Sequence, residues 1–457
     1  MGRLLQRLRY RIRRALRRIL QGQEVLALIS AVGHADLSGA CRIARQRTFI
    51  ASCGLRSGRD GRKRSGTPRA GAWRLHIIVI MPHPMRLRQL PIILLVVLLQ
   101  ACSASDSVAP EDGSTDDGTG TDLSQLRMQV AGYHVSWMER AWTEYDFDLL
   151  DVLFFFDLPV DPDGRLADTQ GWPHAWVDLI AEARSHDVPI HLTISILEAD
   201  VFHSVFSSAA HVEQLLSGIT GIAASGSVGG IHLDVEIFEP MTPGVRGAYT
   251  RFVQSLRERL RSQRPDVKLS VFLTALDTSD AYDEAALAAA SDFVVVQGYD
   301  MHWLTGDTAG PLSPIRGWAG RSWDTILSRY DALGIDRRQM LFAVPYYGYE
   351  WPTQGPLPGA RTAAQGVLTT FAPALAGVSS ARERALEHGL RRDSVSGSPW
   401  YLIEDSTGWR QGWFEDAASL GEKYDFTREQ GLAGVAIFPL SYGDRSLDST
   451  LRAARWP

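Results

Sequence analysis

From about Gln129 onward the chain alternates between short apolar runs and amphipathic stretches. The runs are QVAGYHV (129–135), VLFFFDL (152–158), PIHLTIS (189–195), GIHLDVE (230–236), LSVFLTA (269–275), FVVVQGYD (293–300), MLFAVPYY (340–347) and GVAIFPL (434–440). Between most of them lie segments such as HAWVDLIAEARSHD, AYTRFVQSLRERLRSQ and SWDTILSRYDALG, whose apolar residues recur at helical spacing. Strand–helix alternation predicts parallel βαβ units. Eight almost wholly apolar runs suit strands buried on both faces, which is the α/β class in its closed (β/α)8 TIM-barrel form. A doubly wound open sheet is the alternative, but no Gly-rich phosphate loop follows the first run. The span 351–412 is too long for a βα loop and holds a helical pattern of its own, SSARERALEHGL. It predicts an insertion after strand 7, over the C-terminal face where barrel active sites lie.

Upstream of this region the pattern is different. Residues 85–102 read MRLRQLPIILLVVLLQAC. A basic start (Arg86, Arg88) precedes an apolar stretch of about ten residues, too short to span a bilayer. The closing Leu99-Gln100-Ala101-Cys102 looks like a bacterial lipobox, in which the cysteine is lipidated. The expectation is a lipoprotein signal over 81–102 and an exported chain, lipid-anchored to the cell envelope through Cys102. Ser103 resembles outer-membrane sorting in a Gram-negative host. The segment 103–127 is acidic and rich in Gly, Ser and Asp, and reads as a flexible linker. A signal of this kind works at an N-terminus, so residues 1–80 are expected to be a mis-translated or disordered Arg-rich extension, with Met81 or Met85 as the start.

Charge sharpens the division. The net charge of -5 conceals 18 Lys and Arg against 3 Asp and Glu in the first 80 residues. Taking these from the totals of 47 and 52 leaves 29 basic and 49 acidic residues for the rest. Such an acidic domain is a poor partner for nucleic acid, whose phosphates need a basic surface. It suits an exported monomer acting on a neutral substrate. The cysteines are Cys41, Cys53 and Cys102, so the main domain has no disulfide and no cysteine metal site. No HxH or HExxH spacing with partners is present, and neither a metal nor a cofactor is expected. A nucleophile elbow is likewise not evident at a strand–helix junction.

The fourth run carries the chemistry. In GGIHLDVE the polar residues His232, Asp234 and Glu236 alternate with Ile231, Leu233 and Val235, so they share one face of a strand. Inside a barrel they would point toward the C-terminal mouth. Ionisable groups there are costly to bury unless they pair or react. A solvent-facing edge strand would show the same alternation.

This stretch resembles the DxxDxDxE motif on strand four of glycoside hydrolase family 18, the chitinase family. Further pieces follow in the family's order: AGYHVSW in the first run, VQGYD ending the sixth, AGPLSPI (309–315), FAVPYYGYEW in the seventh, and GWRQGWFEDAASLGEKYDF with GLAGVAIFPLSYGD at the end. The resemblance spans about 128–457. It implies hydrolysis of β-1,4 bonds at N-acetylglucosamine in chitin fragments, peptidoglycan or N-glycans, with the substrate's acetamido oxygen as nucleophile. Glu236 is then the general acid, its pKa raised by burial beside Asp234. Asp234 holds the acetamido N–H, Tyr299 hydrogen-bonds the acetamido oxygen, and Asp300 lines the same subsite. Tyr133, Trp137 and Trp303 are candidates for stacking on sugar rings.

The chain also departs from the family pattern. The motif's first aspartate is Gly229 and its second is His232. A protonated histidine there would pair with Asp234, line the substrate site and give the activity an alkaline limb. The third run reads TISILEAD where the family has SxGG, and the strand-eight tryptophan is replaced by Phe438, a smaller platform. Two other readings follow: a catalytically silent carbohydrate-binding barrel, or a barrel hydrolase of another family using Asp300 or Glu350 as second carboxylate. The insertion would set endo against exo action.

Overall fold

The computed structural model describes residues 127–224 and 226–455. The Arg-rich segment 1–80, the signal ending at Cys102 and the linker up to residue 126 lie outside the described residues.

Eight parallel strands close into a barrel. They are β1 (Gln129–Val135), β2 (Val152–Pro159), β3 (Ile190–Ile196), β4 (Gly230–Val235), β5 (Lys268–Leu273), β6 (Phe293–Val296), β7 (Met340–Pro345) and β13 (Gly434–Phe438). Neighbours run β1-β13-β7-β6-β5-β4-β3-β2, and β1 pairs with both β13 and β2, so no edge is left open. Each of the eight apolar runs of the sequence contributes one of these strands. Helices α1 (Val177–Ser185), α2 (Ala199–Phe206), α3 (Ala209–Ala223), α4 (Pro243–Gln263), α5 (Glu284–Ala290) and α6 (Trp323–Ala332) connect them. Local chemistry fixes several helix starts: the Ser208 side chain accepts from His211 N at α3, and Thr242, followed by Pro243, accepts from Val245 N at α4.

The barrel interior is filled in layers. Register places Phe154 beside Tyr133 and His191, and His232 beside Thr193 and Ser270. Phe154 packs on Tyr133 at 4.6 Å and on His232 at 4.3 Å between ring centroids. Gly230 leaves room for the His191 ring, because a Cβ there would lie 2.4 Å from it. The neighbouring Gly229 abuts Pro189, whose Cβ would stand 2.6 Å from an added Cβ. That contact is a steric reason for glycine where the family motif has aspartate.

After β7 the chain leaves the barrel and builds a second sheet, ordered β10-β11-β12-β8-β9. Its antiparallel strands are β8 (Tyr347–Thr353), β9 (Val367–Thr370), β10 (Arg391–Arg392), β11 (Pro399–Asp405) and β12 (Gly408–Trp413), with helix α7 (Ala381–His388) beside it. The inserted sheet therefore begins at Tyr347, four residues before the expected 351. Its helical pattern is one helix in a unit that is mainly strand. Stacked Trp400 and Trp413 (5.3 Å, 10°) form its apolar seam. The chain returns through α8 (Ala417–Glu429), which opens with a capping box of Asp416 and Ser419, to β13 and the last helix, α9 (Asp448–Arg455).

Candidate active site

β4 presents His232 and Asp234 to the barrel interior, and Glu236 follows directly at its C-terminal end. Asp234 is 4% exposed and Glu236 half-buried, so the edge-strand reading of this motif does not hold. Beyond β6, Tyr299 is buried and Asp300 adopts φ +60°, a left-handed conformation that Asp tolerates better than most residues. Asp234, Glu236, Tyr299 and Asp300 line one cavity of about 190 Å³ at the C-terminal mouth.

Aromatic rings make the walls. Phe438, at the end of β13, packs edge-on against Tyr133 (5.3 Å) and Phe156 (5.3 Å) and lies nearly parallel to Tyr299 (6.1 Å, 29°). Trp137 closes one side, edge-on to Phe156 and with its indole N–H 3.3 Å from the Tyr442 hydroxyl. The inserted sheet supplies Tyr347, Tyr349 and Leu368. Tyr347 and Tyr349 sit two residues apart on β8, on one face, and both donate to Asp300 Oδ1, at 2.7 and 3.1 Å.

The electrostatics follow from three carboxylates in a cavity that, among the described residues, is lined by no Lys or Arg. Burial, helped by Asp234 and Glu236, raises the Tyr133 and Tyr299 pKa values well above the ordinary phenol range, so both remain hydroxyl donors. Burial pushes Asp300 up to about 6, against the two tyrosine hydrogen bonds that favour its charged form. Among the described residues no cluster of His, Cys, Asp and Glu is placed to hold a metal ion.

The structure thus brings together seven expected residues: Glu236, Asp234, Tyr299, Asp300, Tyr133, Trp137 and Phe438. Two others lie elsewhere. His232 is fully buried beneath the cavity, its ring nitrogens 2.9 Å from Tyr133 Oη and 2.9 Å from Ser270 Oγ. Burial, with His191 nearby, holds its pKa well below the ordinary histidine range. The expected protonated His232 paired with Asp234 is therefore corrected: its ring nitrogens face Tyr133 and Ser270, and burial favours the neutral form. Trp303 sits on an exposed turn after β6, with the Arg321 guanidinium 5.3 Å above its ring, and lines no part of the cavity. Glu350, weighed as a second carboxylate, is buried inside the inserted sheet with Tyr401 (2.8 Å) and Arg410 (3.2 Å). Phe156, Tyr347, Tyr349, Leu368 and Tyr442 were not singled out by the sequence. The alternation in Tyr347-Gly348-Tyr349 was the one legible signal for two of them.

The profile of glycosyl hydrolases family 18 matches residues 129–443, the whole barrel with its insertion. The chain belongs to this family. Among family 18 relatives, the cortical fragment-lytic enzyme of Bacillus anthracis is 24% identical over 305 residues, covering 64% of this chain and 65% of that protein. A Dictyostelium discoideum protein named "Probable di-N-acetylchitobiase 1" is 26% identical over 283 residues, covering 54% and 72%. The chain thus spans a little over half to about two thirds of the curated relatives it matches first, at 56%, 65% and 53% of their lengths. The crystal structure of the Bacillus megaterium spore cortex-lytic enzyme SleL superposes with a TM-score of 0.58 at 20% identity, covering 73% of this chain and 75% of that one. That likeness supports the family 18 barrel as a fold.

Proposed function

We propose that the chain is a glycosidase hydrolysing β-1,4 bonds at N-acetylglucosamine by a substrate-assisted, retaining mechanism. The observation that carries this reading is the convergence of Glu236, Asp234, Tyr299 and Asp300 in one aromatic-walled cavity. Glu236, at the mouth, protonates the glycosidic oxygen as the C1–O bond breaks. The acetamido carbonyl oxygen attacks C1 and closes an oxazolinium ring. Asp234 accepts the acetamido N–H and balances the positive charge that develops. Tyr299, held protonated, donates to the acetamido oxygen and orients it for attack. Water deprotonated by Glu236 then opens the ring from the face the leaving group occupied, so configuration is retained.

The relatives named cortical fragment-lytic enzyme and di-N-acetylchitobiase support this substrate class. A lipid anchor at Cys102 is part of the proposal, since it would hold the barrel at the envelope, within reach of cell-wall glycan. Incorporation of labelled fatty acid in cells, lost in Cys102→Ala, is the expected result.

The mechanism is tested by product NMR on short β-1,4-N-acetylglucosamine oligomers and their N-deacetylated counterparts. The expected result is a β-anomer formed first from the acetylated series and no turnover of the deacetylated one. An α-anomer, or equal turnover of both series, would contradict acetamido participation.

A further inference from the structure

Beneath the cavity a chain of three buried polar groups runs across the barrel, from Ser270 on β5 through His232 on β4 to Tyr133 on β1. Ser270 and His232 are 0% exposed and Tyr133 1%, so all three are shielded from bulk solvent. Donor accounting decides how the protons sit. A serine hydroxyl is one donor, and a neutral imidazole is one donor and one acceptor. Among the described residues the Ser270 hydroxyl has a single hydrogen-bonding neighbour, His232 Nδ1. Were Nδ1 protonated, the Ser270 proton would be sealed in the barrel without an acceptor, which a fold avoids. Ser270 must therefore donate to Nδ1. The His232 proton then lies on Nε2 and points at Tyr133 Oη. A doubly protonated ring would orphan the same serine proton and add a charge in a buried layer beside Phe154 and near His191.

The consequence falls on Tyr133. Its hydroxyl accepts from below, so its own proton is left for the cavity, which Tyr133 shares with Asp234 and Glu236. We propose that His232 is a positioning residue: fixed by Ser270 as the neutral Nε2–H tautomer, it turns the Tyr133 hydroxyl proton up into the cavity, as a donor to negative oxygen there. The proposal rests on the glycosidase reading for its catalytic consequence, but not for the tautomer. Ser270 thereby acts on the chemistry from two residues away, through His232 and Tyr133. A reversed ring would consume the tyrosine proton below the cavity and leave a lone pair facing the carboxylates.

The test is ¹⁵N-histidine NMR on the full chain, with the His232 signals assigned by their loss in His232→Asn and their survival in Ser270→Thr. The expected spectrum shows an acceptor-type Nδ1 and a protonated Nε2, unchanged between pH 5 and pH 8. In Ser270→Ala this preference relaxes or reverses, and in Ser270→Thr, which keeps the hydroxyl, it returns. A protonated Nδ1 in the wild type, or a ring that titrates in this range, overturns the proposal. In kinetics, Ser270→Ala is expected to lower kcat about 3- to 10-fold with little change in KM, the scale of one hydrogen bond. That loss should vanish in a Tyr133→Phe background. A Ser270→Ala loss of equal size in both backgrounds would reduce Ser270 and His232 to packing. A wild type with no turnover would contradict the glycosidase reading instead, while the nitrogen spectrum still decides the tautomer.

Discussion

Asp300 is held against its own preference. Burial raises its pKa from the ordinary aspartate value to about 6, while Tyr347 and Tyr349 pull the other way by donating to Oδ1. A carboxyl whose folded pKa exceeds its unfolded one binds extra protons in the native state, so its contribution to stability is full below about pH 4 and is lost as pH rises through about 6. Asp300→Asn keeps an oxygen to accept from both tyrosines. It should raise the unfolding free energy at pH 8 relative to pH 4 by about 1–2 kcal/mol, read from denaturant titrations at the two pH values. Turnover should fall in the same variant if the charged form serves the reaction. Tyr347→Phe should move the Asp300 titration further up from about 6 and lower activity near pH 6 by several-fold, read from a pH–rate profile. A profile that stays put would mean that Tyr347 only packs. Asp234 and Glu236 were visible in the sequence because strand alternation puts them on one face. The Tyr347 and Tyr349 bonds to Asp300 were not, because the partners lie 47 and 49 residues apart on different elements.

At the scale of elements, the eight barrel strands were legible because a strand buried on both faces is apolar throughout, and such runs stand out between helices. The inserted strands were not. β8, β11 and β12 pair antiparallel, mix aromatic and charged residues, and draw their stability from contacts with one another rather than from a continuous apolar run. Two features hold this region together, one within the sheet and one between the sheet and α8. A Cβ on Gly348 would stand 2.3 Å from the Trp413 carbonyl oxygen, so β8 and β12 approach as closely as they do only with glycine there. Gly348→Ala should destabilise the protein by about 1–3 kcal/mol and displace Tyr347 and Tyr349, so activity should fall with stability; thermal melts and turnover together check this. The second feature is the fully buried pair of Lys423 on α8 and Glu415 just after β12, at 2.6 Å. Lys423→Met leaves Glu415 buried alone and should cost about 3–5 kcal/mol, whereas Lys423→Met with Glu415→Leu should recover much of it. A double variant as unstable as the single one would show that the pair contributes net stability.

For the whole molecule, barrel and insertion divide the labour. The barrel strands bring Asp234 and Glu236, with Tyr299 and Asp300 just beyond β6, to one mouth, and the inserted sheet adds the tyrosines that hold Asp300. Family membership and fold were readable from the motifs because they follow one another in the family's order along the chain. The departure at His232 was visible in the sequence, but its meaning was not: whether a histidine there pairs upward with Asp234 or sideways with Tyr133 and Ser270 depends on which strands flank β4 in the closed barrel. Under the proposed function, this mouth hydrolyses N-acetylglucosamine linkages with Glu236 as the acid. The most direct measurement is turnover of fluorogenic N-acetylglucosamine oligomers by wild type and Glu236→Gln, with sugar binding measured in parallel. The expected result is a ~10²- to 10⁴-fold loss of turnover in the variant with binding retained. Turnover that survives in Glu236→Gln would contradict the site assignment, and no turnover in either form with binding intact would make the barrel a sugar-binding protein.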